Sequence, residues 1–240
     1  MTPVDEIGKW SKDKLSLLQK YLNAYTTILS TKPWIRGYYY IDAFAGSGKP
    51  KLRDEEIFVD GSPLIALRLK KPFTGYFFIE QEPWRVESLE KLKIEFPDAA
   101  IRIFQGDCND ILIQEVLPSV REKFERSFIF LDPFGMDFEW TTLREIVSLG
   151  TIETLINFPI MAVNRSALPN NPSSLTSLQV ERMNRFFGTD KWRTDIYVEE
   201  PGLFEPILRK IPQSADSLSN LFKQRLAEIF LFISSPLRNV

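Results

Sequence analysis

Between residues 37 and 158, short apolar runs alternate with helix-patterned stretches, and few folds accept that alternation. The runs Gly37 to Ala45, Gly75 to Ile79, Ala100 to Phe104, Ser127 to Leu131 and Thr154 to Phe158 read as strands rich in β-branched and aromatic residues. Helical spacing precedes, separates and follows them. Lys14 to Leu29 places Leu15, Leu18, Leu22, Tyr25 and Leu29 on one face, with Ser11 or Asp13 as the cap. Ser62 and Pro63 open a helix to Leu69, and further helices are expected over Trp84 to Phe96, within Asn109 to Lys123, and over Thr141 to Leu149. Strands joined through helices need crossover connections, so the expected class is α/β, a doubly wound and mostly parallel sheet covered on both faces. The aromatic run Tyr38, Tyr39 and Tyr40 belongs in such a sheet's core, and Trp84 and Trp140 in helix packing.

Composition narrows the chemistry. The 240 residues contain one cysteine and no histidine, which excludes Ser-His-Asp triads, His-ligated zinc, histidine general bases and a disulfide framework. No metal site is expected. Thirty basic against thirty-two acidic side chains give a net charge of −2, too even for bulk electrostatic attraction to nucleic acid. The apolar runs are far shorter than a membrane span and the start lacks a signal-peptide pattern, so the expectation is a cytoplasmic protein with no membrane partner.

Three regions are expected: an N-terminal helical segment over 1–36, the α/β core over 37–160, and a helical and loop extension over 161–240. Within the extension, 164–179 is rich in Asn, Ser and Pro and reads as loop, while Val180 to Phe187 and Ser217 to Glu228 read as helices. Ile229 to Ile233 is the candidate for a last strand of the core. A sheet lacking its final strand keeps an open edge, which points to a homodimer.

Ligands of open parallel sheets bind at the carboxyl ends of the strands, near the switch point. The first strand ends in Asp42-Ala-Phe44-Ala45-Gly46-Ser47-Gly48-Lys49, whose glycines permit tight turns and close approach of a ligand. The second ends at Glu80, suited to ribose hydroxyls. The third ends in Gly106-Asp107-Cys108, with an acid suited to an adenine amino group. The fourth ends in Asp132-Pro133-Phe134-Gly135 and the fifth in Asn157-Phe158-Pro159. Singly, an acid such as Glu80 or Asp107 is more often a helix cap or a solvated acid, and Asp132-Pro133 also reads as a strand-ending turn. Together they describe an edge for a nucleoside-type ligand. A phosphate-binding P-loop is excluded by Ala43 and Pro50, and the dinucleotide fingerprint fails for want of a third glycine.

The ordered set of Asp-x-Phe-Ala-Gly-x-Gly, Glu80, Gly106-Asp107 and Asp-Pro-Phe-Gly resembles class I S-adenosylmethionine-dependent methyltransferases, a Rossmann-like fold, and within them the nucleic-acid base methyltransferases. Tyr40 to Lys49, Asp60-Gly-Ser-Pro to Leu67, Phe78-Ile-Glu80, Gly106 to Asn109, Phe130 to Gly135 and Ile156 to Pro159 are similar to the three-Cys-motif partner protein family. That likeness covers roughly residues 10 to 165 and resumes near the C-terminus. It implies S-adenosylmethionine as cofactor, held by Asp42, Phe44, Ala45, Gly46, Ser47, Gly48, Gly61, Ser62, Glu80, Asp107 and Cys108. It also implies a base amine as acceptor, met by Asp132, Pro133, Phe134 and Gly135, and a partner protein carrying three clustered cysteines. In the amino-methyltransferase motif a second proline and an aromatic residue stand where this chain has Phe134 and Gly135. The alternative is a catalytically inactive methyltransferase-like module that binds nucleic acid or protein. A hydrolase using Asp42, Glu80, Asp107 and Asp132 around Mg²⁺ is disfavoured, because these acids lie on separate strand ends.

A charged loop, Lys49 to Asp60, separates the glycine turn from the helix at Ser62. Either the helix start still faces the ligand, with the amides of Gly61 and Ser62 on a cofactor carboxylate, or the loop has carried it away. Lys49, Lys51 and Arg53 could instead meet nucleic-acid phosphates, or the loop is simply solvated, and Arg165 reads as a substrate rim or a surface cation.

Overall fold

A computed structural model describes residues 3–53, 55, 57–160, 163–164, 168–201 and 206–235. The chain divides into two compact units, Met1–Asp132 with Leu149–Asn157, and Pro133–Ser148 with Phe158–Val240.

The first unit is built on a five-stranded, wholly parallel sheet, a Rossmann-like arrangement flanked by helices. Its strands are β2 (Gly37–Asp42), β4 (Gly75–Glu80), β5 (Ile101–Gln105), β6 (Glu125–Leu131) and β7 (Ile152–Ile156), in the order β5-β4-β2-β6-β7. The order runs outward from β2 in one direction and then, from β6, in the other. A switch point therefore lies between β2 and β6, where such sheets take ligands. Two further strands, β1 (Glu6–Ile7) and β3 (Lys51–Leu52), form a small parallel pair that the sequence did not suggest.

Three helices of this unit, α1 (Lys9–Leu29), α2 (Ser62–Leu67) and α3 (Pro83–Glu95), share one apolar cluster with the sheet. Leu18, Leu22 and Tyr25 of α1 meet Tyr40, Phe128 and Phe130, and Leu89 and Leu92 of α3 join the same cluster. The rings of Tyr40 and Phe128 stack at 6.2 Å. On alternate positions, Ile41, Ile79, Ile129 and Leu131 are fully buried, as expected for strands covered on both faces. The next helical stretch is α4 (Cys108–Ile111), a π turn over Leu112–Val116, and α5 (Leu117–Ser119).

Local physics moved several expected boundaries. The first helix starts at Lys9, because the amides of Ser11 and Lys12 bond the carbonyl of Gly8; Ser11 and Asp13 lie inside it rather than capping it. The first strand stops at Asp42 rather than Ala45, where the chain turns. Gly61 caps α2, so Ser62 is already helical and Pro63 second. The fifth strand ends at Ile156, leaving Asn157 just beyond it, although its amide still bonds the carbonyl of Leu131.

The second unit holds α6 (Trp140–Ser148), the helices Ser177–Phe187, Trp192–Ile196 and Ser214–Ile229, and the antiparallel pair β8 (Tyr197–Glu200) and β9 (Ile207–Lys210). Its centre is aromatic: Phe158 stacks on Phe222 at 4.4 Å, with Phe186, Phe187 and Trp140 around them. The Ser177 helix begins earlier than its apolar spacing suggests, since Thr176 and Gln179 form a reciprocal capping box. The strand anticipated at 229–233 is not formed. Ile229 ends a helix and 230–233 carries no ladder, while among the described residues β8 and β9 pair only with each other. Among the described residues no helix is long and apolar enough to cross a membrane.

Candidate functional site

Parallel strands aligned in register deliver their last residues to one edge, so Asp42, Glu80, Asp107, Asp132 and Asn157 all reach the carboxyl edge of the sheet. The register pairs Asp42 with Phe78 and Phe130, and Glu80 with Gln105. Asp42 and Asp132 thus flank the switch point.

Asp42 is fully buried and its carboxylate accepts hydrogen bonds from Tyr40 Oη at 3.0 Å and the amide of Phe44 at 3.4 Å. Burial pushes its pKa up to about 7, a rise that hydrogen bonds from Ser62, Tyr40 and Phe44 oppose and that nearby Asp132 increases. Asp42 therefore ties the end of β2, the turn after it and the first residue of α2 together.

The turn itself runs Phe44-Ala45-Gly46-Ser47-Gly48. Gly46 and Gly48 have φ of +62° and +78°, a region that other residues adopt only with strain. Ala45 donates its amide to the carbonyl of Ile79, and Gly46 donates its amide to Glu80 Oε2 at 2.8 Å. The other Glu80 oxygen accepts the amides of Gln81 and Glu82 at 2.8 and 3.0 Å and lies 3.5 Å from Arg85 Nη1. The strand-two acid is thus clamped to the glycine turn.

Ser47 donates its amide to Asp5 Oδ2 at 3.0 Å, while Asp5 Oδ1 takes Arg85 Nε and Nη2 at 3.0 and 2.7 Å. The Ser47 hydroxyl is buried without a hydrogen-bond partner among the described residues. Neither Asp5 nor Arg85 stood out in the sequence, since nothing local links an acid near the N-terminus to an arginine eighty positions away.

The charged loop does not carry α2 away. Gly61 donates its amide to the carbonyl of Gly48 at 2.9 Å, closing the neck of the 49–60 excursion. A Cβ on Gly61 would stand 2.9 Å from that carbonyl oxygen, so only glycine allows the approach. The Gly61 amide is thereby engaged within the loop, and Ser62 is hydrogen-bonded to Asp42.

At the third strand, Asp107 caps α4, its Oδ1 accepting the amides of Asn109 and Asp110 at 2.8 and 3.4 Å, with buried Cys108 beside it. At the fourth, Asp132 is held from both sides. Lys14 Nζ of α1 pairs with Oδ2, and Asn157 Nδ2 donates to Oδ1 at 2.6 Å. Asn157 is visible as a strand-end residue, whereas nothing in the sequence assigns Lys14, at the start of the expected first helix, a role at this edge. Pro133, Phe134 and Gly135 fall in the second unit, in a stretch without regular structure where Phe134 is 73% exposed. Arg165 lies outside the described residues.

Among the described residues no three His, Cys, Asp or Glu side chains are grouped as a metal site. A groove of about 600 Å³ lies at the opposite, amino-terminal edge of the sheet, between Tyr39, Gly75, Phe77, Ala100 and Arg102. The strand-end acids do not line it, so the carboxyl edge is the better candidate.

No family model matches the chain. No curated protein matches it either. Among solved structures, it is similar to a Legionella pneumophila protein assigned to DUF519, at 13% identity and a TM-score of 0.37, over 89% of this chain and 91% of that one. At that score the likeness carries no argument about fold or activity.

Proposed function

We propose that the protein is an S-adenosylmethionine-dependent methyltransferase of the three-Cys-motif partner family, acting on a nucleic-acid base amine alongside a three-cysteine-motif protein. The observation that carries this reading is the pairing at the switch point of two features. One is a glycine turn whose amide rests on the strand-two acid, Gly46 on Glu80. The other is a strand-four carboxylate, Asp132, fixed by Lys14 and Asn157.

The residues fit such a cofactor. The Ser47 hydroxyl, without a partner among the described residues, is a buried group in want of a hydrogen bond, beside a turn with no side chains at Gly46 and Gly48. Glu80 would take ribose hydroxyls, since each carboxylate oxygen accepts more than one donor. Asp107 and Cys108 would border the adenine, and Asp42 would keep the turn shaped from beneath. The cofactor supplies a methyl group on a positively charged sulfur. An exocyclic base amine is a poor nucleophile because its lone pair is spread into the ring. By the resemblance, Asp132 accepts the amine's hydrogens and sets its lone pair, and Phe134 offers an exposed ring to the base. Lys14 and Asn157 leave the Asp132 carboxylate little freedom, and catalysis by positioning asks for that. A histidine base is not required, because the alkylated amine sheds its proton readily.

Calorimetric titration with S-adenosylmethionine and S-adenosylhomocysteine tests the reading. Micromolar binding is expected, weakened about tenfold, or about 1.4 kcal/mol, by Glu80→Gln. The second reading, a methyltransferase-like binding module, draws on the same turn, because the Gly46 and Ser47 amides are engaged by the chain's own carboxylates. Absence of binding to folded protein would favour it.

A further inference from the structure

The contact between Asp5 and the glycine turn has no counterpart in the sequence motifs. Asp5 directly precedes β1, which is only two residues long and pairs with the equally short β3. Two backbone bonds flank it, from the Lys51 amide to the Asp5 carbonyl at 2.8 Å and from the Arg53 amide to the Ile7 carbonyl at 3.0 Å. An exposed ion pair between Glu6 and Arg53 at 3.9 Å adds little, and the shielded anchor is the Asp5 carboxylate, which bridges the Ser47 amide and the Arg85 guanidinium. Both side chains of the ion pair are largely shielded, at 16% and 19% exposure. A backbone amide and a guanidinium converging on one carboxylate make an anion site. Here the anion comes from the same chain.

The closed arrangement is not fully satisfied. The Ser47 hydroxyl lies buried on the same residue whose amide Asp5 takes, and among the described residues it has no hydrogen-bond partner. An orphaned buried hydroxyl costs free energy that a better occupant would recover. A two-residue strand pair is a weak hold and can open readily.

We propose that Asp5 is an internal stand-in for a ligand carboxylate: the segment Pro3–Ile7 is a latch that closes the Ser47–Arg85 anion site and is displaced by the amino-acid carboxylate of the cofactor. The inference rests on the cofactor reading above. Ligand and latch compete for one site, so the apparent affinity falls by the fraction of molecules that are open. Removing the carboxylate of Asp5 removes that competition. The advantage extends only to ligands that carry a carboxylate of their own.

The test compares S-adenosylhomocysteine, which has the carboxylate, with 5′-methylthioadenosine, which lacks the whole amino-acid part. Titrations of the full chain, Asp5→Ala and the near-isosteric Asp5→Asn are expected to show S-adenosylhomocysteine binding about tenfold tighter in both variants, as for a site open one-tenth of the time. Methylthioadenosine should bind all three proteins alike. In the unaltered chain, S-adenosylhomocysteine should speed hydrogen exchange at the amides of Lys51 and Arg53, as β1 leaves β3. Weaker or unchanged binding to the variants, equal tightening for both ligands, or slower exchange at those amides would overturn the latch while leaving the cofactor reading standing. If neither ligand binds any of the three proteins, the cofactor reading falls, and the latch as a competitor falls with it.

Discussion

Lys14 of the first helix pairs with Asp132 at the end of β6, across 118 positions of chain. With Asn157 on the other oxygen, the carboxylate has a cation on one side and an amide on the other. Both charged side chains are about one-fifth exposed, so water screens the pair only in part. Lys14→Met should lower stability by about 1–2 kcal/mol, between the values for exposed and buried pairs. A double-mutant cycle with Asp132→Asn, followed by urea unfolding, should return a coupling of about 1 kcal/mol. A coupling near zero would show that the two side chains do not depend on each other.

Asp42 predicts an unusual pH dependence. Its folded pKa is raised to about 7 by burial, above the unfolded value of 3.8. Between those values the folded state keeps a proton that the unfolded state has released. Stability therefore falls as pH rises from about 4 to about 7, by up to about 1.4 kcal/mol per pH unit, and levels off above. Asp42→Asn should flatten that slope in denaturation curves recorded from pH 4 to 8, and an unchanged slope would assign it to other groups.

Gly61 closes the neck of the charged loop against the Gly48 carbonyl, with no room for a side chain. Gly61→Ala should cost roughly 1–3 kcal/mol in thermal or urea unfolding, the range for overpacking. It should also loosen the turn beside Glu80, and faster exchange at the Gly46 amide would report this. Unaltered exchange there would separate the neck from the turn.

In the second unit, Gly188 ends the Ser177–Phe187 helix at φ +63°, and a Cβ there would fall 2.2 Å from Trp140 Cδ1. Arg225 lies over the same indole at 4.8 Å and donates to the carbonyls of Phe187 and Gly188. Gly188→Ala should lose roughly 2–4 kcal/mol, from left-handed strain and steric overlap together. A melting temperature equal to that of the unaltered chain would contradict this packing.

Much of this was legible in the amino-acid order, for a physical reason. Period-two and period-3.6 spacing are local, so the five strands, the first three helices and the parallel class follow from short windows such as Gly75 to Glu80 or Leu15 to Leu29. Once the strands are parallel, their last residues must share an edge, which is why the sequence alone groups Asp42, Glu80 and Asp132. The helix boundary at Lys9, the Thr176–Gln179 box and the unformed strand at 229–233 escaped, because backbone bonds and neighbouring chain decide them.

Tertiary structure alone decided what each acid does. Charge and strand position leave Glu80 equally suited to a sugar, a helix start or water; the fold sets it on the Gly46 amide. Asp107 became a helix cap, because the turn after β5 aims the Asn109 and Asp110 amides at it. Lys14 on Asp132 and Asp5 between Ser47 and Arg85 join residues far apart in sequence, and no local pattern records such pairs. Spacing along the chain sets which elements form and which ends align. Which donor meets which acceptor depends on packing in three dimensions.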